Sequence, residues 1–384
     1  MVTLNNADNV LKSFYLDAVS DALNMKINPF LAKIEKSSAN VSGKDVRKAI
    51  SCGFNNGIGA GTETGDLPMA NGNEYKQFVT TLKNFYGTLE ISDKAIRAAA
   101  SNDGAFVNLL NEEMRTLINT AKFNFGRMLF GDGSGTLATV QEYVNSTDIR
   151  VDNAQNFVEG MLVDFVSGNM RCSEIKILHV DYENGCISVA DADNLSKLEN
   201  AKIVIYGTDG EELTGLAAIF GEGSLYGVDR ETFGMKPYIV KDADMVTQDI
   251  IQEVLDIVEM KSGSKPNMII CSSKVRRELV THFRDYNMKL PTIDLGDGIK
   301  ALDFYGVPVV VDRFCPVDKM YLLNTDYFKL HQLCDWQWLE SEDGKILKQS
   351  PGRPVYTATL VKYAELLCEN PSAQGMICFS YLSE

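Results

Sequence analysis

At 384 residues the chain is long enough for two or three domains. With 45% hydrophobic and 23% charged residues it has a globular composition and a sizeable core, which excludes wholesale disorder. Lysine and arginine number 37 against 52 acids, a net charge of −15 with no evident basic patch, so sequence-specific binding to duplex DNA is not expected.

The first 35 or so residues read as a helical arm, with Val10, Phe14, Ala18 and Ala22 recurring at i+4 and Asp8 as N-cap. The start is polar, with Asn5, Asn6 and Asp8 and no basic n-region, so no signal peptide is expected. Asn28-Pro29 interrupts the helix, and Phe30, Leu31 and Ile34 restart it. Gly53 to Gly72 is glycine-rich and polar, and Tyr75 to Ile91 behind it reads as extended strand. Together they predict a long hairpin projecting from the body. The strongest periodicity spans Gly104 to Gly131, where Phe106, Leu110, Met114, Leu117, Ala121, Phe125 and Met128 mark one helix face. Such a helix is about 40 Å long, enough to span a domain.

From Asp148 to about Phe233 the texture changes to short strands and turns. Asp148 to Glu231 holds 16 acids and 6 bases, a net −10, which marks an inserted acidic β-module, a small barrel or sandwich. Alternating α and β then returns: a helix over Thr247–Lys261, a strand over Asn267–Cys271, and a helix capped by Ser272. Strands follow at Val307–Val311, Met320–Leu323, Val355–Glu365 and Met376–Phe379.

No residue pattern carries catalysis. Gly57-Ile58-Gly59-Ala60-Gly61 lacks the flanking strand, helix and Lys-Ser/Thr pair of a phosphate loop. Gly131, Gly133 and Gly135 end a helix, the wrong end of its dipole for an anion. Ser262 to Lys265 is a chance Ser-x-x-Lys string, and His179, His282 and His331 are far apart in sequence. Asp181, Glu183, Asp191 and Asp193 lack the spacing of a calcium loop. The eight cysteines show no CxxC pair, which reads as free thiols in a reducing compartment. No apolar run nears the ~18 residues of a membrane span. No metal, cofactor or enzymatic activity is expected.

What is specific is the order of parts: arm, glycine-tipped hairpin, long helix, compact α/β part, and last strands returning to the long helix. Phe85-Tyr86-Gly87-Thr88-Leu89 leads into Lys94-Ala95-Ile96-Arg97. Phe123-Asn124-Phe125-Gly126-Arg127 closes the long helix. Lys265-Pro266-Asn267-Met268-Ile269 is followed by Arg276-Arg277-Glu278-Leu279, then by Tyr305-Gly306-Val307-Pro308, Tyr321-Leu322-Leu323-Asn324 and Asn370-Pro371-Ser372-Ala373. In this concatenation the chain resembles the major capsid proteins of tailed bacteriophages, the Hong Kong 97-type fold.

The resemblance implies an α+β fold with these parts: an N-terminal arm (1–52), an E-loop hairpin (53–92), a P-domain spine-helix region (93–147), the inserted β-domain (148–233), an A-domain (234–350) and return strands of the P-domain (351–384). It implies a virion protein that self-assembles into hexamers and pentamers of an icosahedral head in the host cytoplasm. Its partners would be a separate scaffolding protein, portal and head-completion proteins, with packaged DNA touched only non-specifically and no membrane contact. An encapsulin-type shell is the alternative of the same fold, and an α/β enzyme with a β-domain insertion the alternative of another class. Contacts between subunits are expected at Phe14, Phe30, Tyr75, Phe78, Leu82, Phe85 and Tyr86. Covalent cross-linking through the hairpin lysines Lys76 or Lys83 is not expected, for want of a partner acid and asparagine in view.

Overall fold

The computed structural model describes residues 28–53, 57–66, 72–94, 103–192, 195, 198, 200–231, 234–286, 291–294, 300–340 and 344–382. The predicted helix through Val10, Phe14, Ala18 and Ala22 lies outside the described residues.

Helix α1 is Pro29–Lys33. The Asn28 side chain accepts the Leu31 N–H at 3.0 Å, and Pro29 stands at the helix start, where its missing N–H costs nothing. Phe30, Leu31 and Ile34 are buried, with Phe30 edge-on to Phe328 at 5.1 Å between centroids. The stretch after Pro29 therefore belongs to the subunit's own core.

The hairpin pairs Asp45–Cys52 with Glu74–Thr81 in unbroken register, Asp45 opposite Thr81 and Cys52 opposite Glu74. Its first strand thus lies inside the segment assigned above to the arm. The run expected as one strand over 75–91 is two, Glu74–Thr81 and Lys83–Ser92. They part at Leu82, whose N–H donates to the Lys44 carbonyl at 2.8 Å. Both halves have strand-forming composition, so propensity could not show the break.

Lys83–Ser92 joins a five-stranded sheet built on the long strand Val355–Cys368. Lys83–Ser92 pairs with Val355 to Ala364, and Phe328–Trp338 pairs with Leu360 to Cys368, both antiparallel. Helix α2, Asp103–Met128, packs on one face of this sheet. Phe125 meets Phe85 edge-on at 5.6 Å. A Cβ at Gly87 would stand 3.1 Å from Leu117, so glycine keeps the helix close.

After α2 the chain enters a seven-stranded antiparallel sheet running from Thr136–Tyr143 to Lys202–Ile205. The sheet closes over a core of its own, in which Phe157, Phe165, Ile149 and Ile187 are fully buried. The β-module is thus a separate unit, but it spans 136–209 rather than 148–233. Its first strand continues the spine-helix segment with no shift in composition, and Leu213, Leu216, Ile219, Phe220 and Tyr226 pack in the main core instead. Residues 136–209 hold 12 acids and 5 bases, a net −7. The ends of the module meet, since the Gly210 N–H donates to the Ser134 carbonyl at 2.8 Å. Deleting 136–209 and joining 135 to 210 is expected to leave the remaining fold intact, with the melting transition of the rest retained in calorimetry. Loss of all cooperative unfolding would show that the module is part of the main folding unit.

Past the module come helix α3, Leu216–Ile219, and a second seven-stranded sheet flanked by α4, Gln248–Ser262, and α5, Ser273–Asp285. Thr247 caps α4 by accepting the Ile250 N–H, Gly263 ends it in the left-handed region at φ 68°, and Ser272 caps α5 by accepting the Val275 N–H. The sheet order departs from expectation, and Lys348–Gln349, placed above in the A-domain, pairs in the five-stranded sheet. Phe328–Trp338, placed above in the A-domain, lies in the five-stranded sheet, while Gly375–Cys378, placed above among the P-domain strands, lies in this one. Gly375–Cys378 sits between Tyr238–Val240, parallel, and Lys319–Leu323, antiparallel. Gly375 fits because α4 lies directly over it: a Cβ there would be 2.6 Å from Val254. Among the described residues no helix is long and apolar enough to cross a membrane.

Candidate functional site

The polar residues singled out for chemistry are dispersed. His179 pairs with Glu159 at 2.7 Å on the module, and His282 stacks on Tyr286 at 4.7 Å on α5. His331 is buried in the five-stranded sheet, its Nδ1 2.9 Å from the Ala39 carbonyl. The Ser262 hydroxyl donates to the Val258 carbonyl, and Lys265 pairs with Glu259 at 3.3 Å, so that string is a helix end. Among the described residues no three His, Cys, Asp or Glu side chains are grouped to hold a metal ion.

The feature that does stand out is the hairpin. Its root is anchored: Phe78 is buried beside Tyr226 at 5.3 Å, and the Val79 N–H donates to the Tyr226 carbonyl at 3.0 Å. Tyr226 in turn donates its hydroxyl to the Leu366 carbonyl and accepts the Cys368 N–H. Lys48 pairs with Glu369 at 3.2 Å across the same root. Beyond Phe78, Ile50 still packs against the core and Lys76 is half-buried. Glu74, Tyr75 and Gln77 are exposed, as is every residue from Ile58 to Asp66. An isolated two-stranded ribbon is marginal in water and needs a further surface to pack on.

The expected contact residues divide accordingly. Phe30, Phe78, Leu82 and Phe85 are all buried within the subunit and cannot reach a neighbour as it stands. They are apolar for the sake of the core, which sequence could not tell from an apolar contact surface. Tyr75 at 65% and Tyr86 at 61% exposure are the two that face outward, and Phe14 lies outside the described residues. Lys83 is tied to the loop after the module, donating to the Gly210 carbonyl at 2.8 Å.

Three buried charged arrangements, none visible in sequence, hold the base of this framework. Arg127, near the end of α2, makes a two-pronged pair with Glu212: Nη1 donates to Oε2 at 2.9 Å and Nη2 to Oε1. Lys362 donates to Asp335 at 2.5 Å and Gln332 at 2.9 Å under the Phe125 ring, and Lys36 reaches the other Asp335 oxygen at 2.9 Å. Burial opposes ionisation of Asp335, but the adjoining Lys362 ammonium, with its own and Lys36's hydrogen bonds, holds the carboxyl well below its usual range. Glu365 accepts the Thr214 N–H at 2.8 Å and the Leu366 N–H at 3.0 Å, joining the long strand to the chain leaving the module.

Glu365 has a pH consequence. Burial pushes its carboxyl up to about 7 from an ordinary 4.5, against the pull of those N–H groups and of Lys83. A raised native pKa favours the folded state below pH 4.5, and that advantage is lost as pH rises through 7, by about 3 kcal/mol in all. Glu365→Gln, which imitates the neutral acid, should melt with the wild type near pH 4.5 and clearly above it at pH 8. Parallel melting temperatures across this range would refute the assignment.

Residues 213–345 match the family model of the SU10 major capsid protein. That match begins just past the β-module. No curated protein matches the chain. Among solved structures, the chain is similar to the capsid of cyanophage A-1(L), at 12% identity over 92% of each chain and a TM-score of 0.54. It is also similar to the SrpI encapsulin of Synechococcus elongatus PCC 7942, at 11% identity over 92% of this chain and 88% of that one, TM-score 0.49. Mycobacterium phage Adephagia gives 10% identity over 98% of each chain, TM-score 0.47. The similarity to the cyanophage capsid gives the fold, the Hong Kong 97-like capsid fold.

Proposed function

We propose that this chain, with a capsid fold and a major capsid protein match over 213–345, is the major capsid protein of a phage head, a component of the virion. It assembles in the host cytoplasm into hexamers and pentamers of an icosahedral shell around double-stranded DNA, and its role is structural, without catalysis or a cofactor. The observation that carries the reading is the hairpin, fastened to the core through Phe78 and Ile50, with Glu74, Tyr75 and every residue from Ile58 to Asp66 exposed. A ribbon built this way gains its missing surface from a neighbouring subunit, and closed symmetry repeats that contact around the shell. Tyr75 and Tyr86 are the contact residues, large amphipathic rings of the kind that dominate interfaces. A separate scaffolding protein, portal and head-completion proteins complete assembly, and packaged DNA is held only non-specifically. The match to a phage family favours this reading over an encapsulin.

The acidic module stands on the outer face of the shell. A net −7 over 136–209 repels packaged phosphate within a Debye length of about 8 Å if it faces inward, whereas outward it is solvated.

Hydrogen exchange with electron microscopy tests the central claim. Backbone amides of 57–66 and 74–77 should exchange fast in free subunits and slowly in assembled shells. Equal protection in both states removes the hairpin's role. A chain that stays monomeric with scaffold and portal supplied removes the capsid reading itself.

A further inference from the structure

Two exposed helix faces carry opposite charge and, among the described residues, no ion pairs. On α4, Asp249, Glu253 and Asp256 recur at spacings of 4 and 3 and continue to Met260, which is 81% exposed. At 100° per residue all four fall within an arc of about 60°. Opposite them Ile251, Val254 and Val258 are buried against the sheet. On α5, Arg276, Arg277 and Arg284 are exposed and share one flank within about 100° of arc. The helix's acids, Glu278 and Asp285, lie on the other side of its exposed face. Among the described residues none of these three arginines and none of these three acids forms an ion pair. Asp256 takes only the Gln252 amide at 2.7 Å, and Glu253 lies by the Tyr238 hydroxyl.

Like charges at i,i+3 and i,i+4 cost a helix stability, so an uncompensated acidic ridge works against the isolated subunit. The arginine flank is equally uncompensated, in a chain whose net charge is −15. The two faces also match in length. Asp249 to Asp256 and Arg277 to Arg284 each span seven residues, about 10.5 Å along their helices. Guanidinium groups suit carboxylates because each presents a planar fork of donors.

We propose that neighbouring copies of this chain dock the α4 carboxylate ridge of one against the α5 arginine flank of the next. The contact is heterologous, since each subunit offers an acid face to one neighbour and a basic face to the other, and repetition closes a ring. Nucleic acid on the arginines would leave the α4 ridge uncompensated, so a second copy is the occupant that answers both observations. The proposal rests on the capsomer reading and specifies one interface within it.

Charge reversal tests it on the full chain. R277E/R284E and D249K/D256K, each alone, should raise the subunit concentration for half-assembly by about tenfold or more, with melting temperature unchanged to show intact folding. Mixed in equal amounts the two variants should form hexamers again, because six copies can alternate and place aspartate on arginine and lysine on glutamate, whereas a five-membered ring cannot alternate and stays blocked. The quadruple variant should assemble by itself. Sedimentation velocity and negative-stain images give the readout, and rising salt should weaken wild-type assembly. Folded reversal variants that assemble like wild type overturn the interface and leave the capsid reading standing. Loss of assembly that the quadruple variant does not restore also overturns it, because the helices then face something other than each other. If wild type itself never assembles, the capsid reading has failed instead.

Discussion

Gly215→Ala is expected to destabilise the subunit by about 3 kcal/mol, combining overpacking with a displaced hydrogen bond. Gly215 lies where the chain returns from the β-module, pressed against the end of α2. A Cβ there would stand 2.4 Å from the Met128 carbonyl oxygen, 2.6 Å from Gly131 O and 2.7 Å from Leu129 O. All three obstacles are backbone, so no side chain can swing aside. The same approach lets the Leu216 N–H donate to the Leu129 carbonyl at 2.8 Å, satisfying a helix-end carbonyl. The φ of Gly215 is −86°, open to any residue, so the requirement is one of space alone. Gly72→Ala is the control, because no atom of the described residues lies within 4 Å of its Cβ position, and it should stay within about 0.5 kcal/mol of wild type. Thermal unfolding of both variants checks the pair. An alanine at 215 that melts with wild type would mean that the module's return path is not fixed by this contact.

What the sequence disclosed follows from how local each cause is. Helices α2 and α4 were legible because an apolar stripe repeats within each segment itself, and α5 because Ser272 caps its start. Strand membership was less legible. Gly375–Cys378 and Phe328–Trp338 exchange sheets relative to expectation, and an apolar strand carries no mark of which sheet it will join. The module's true start at Thr136 was hidden because charge, the cue used, does not change there. For the contact residues the difficulty is of another kind. Phe78 and Tyr75 lie three positions apart on one strand and so on opposite faces, one 1% and the other 65% exposed, but alternation does not say which face is covered. Only the fold tells a root from a ribbon. The buried pairs were beyond reach, since Arg127 and Glu212 are 85 residues apart and Thr214 and Glu365 are 151 apart.

The Arg127–Glu212 pair gives the second large effect. Both side chains are 3% exposed, and they fasten the last turn of α2 to the chain just after the module. Removing one partner leaves a charge in an apolar setting with Phe125, Met128 and Leu213 nearby in the core, at a cost of about 3–5 kcal/mol. Arg127→Met or Glu212→Leu alone is therefore expected to lower the unfolding midpoint steeply. The double replacement removes both charges and their desolvation together. It should recover most of that loss, because two well-packed apolar side chains can replace a buried ion pair at little net cost. Among the described residues the Nε of Arg127 is without a partner, a further polar burden that the double variant removes. A double-mutant cycle in urea measures the coupling directly. If the single losses simply add in the double variant, the two charges do not compensate each other. The base of the module would then be held by packing around Gly215 rather than by this pair.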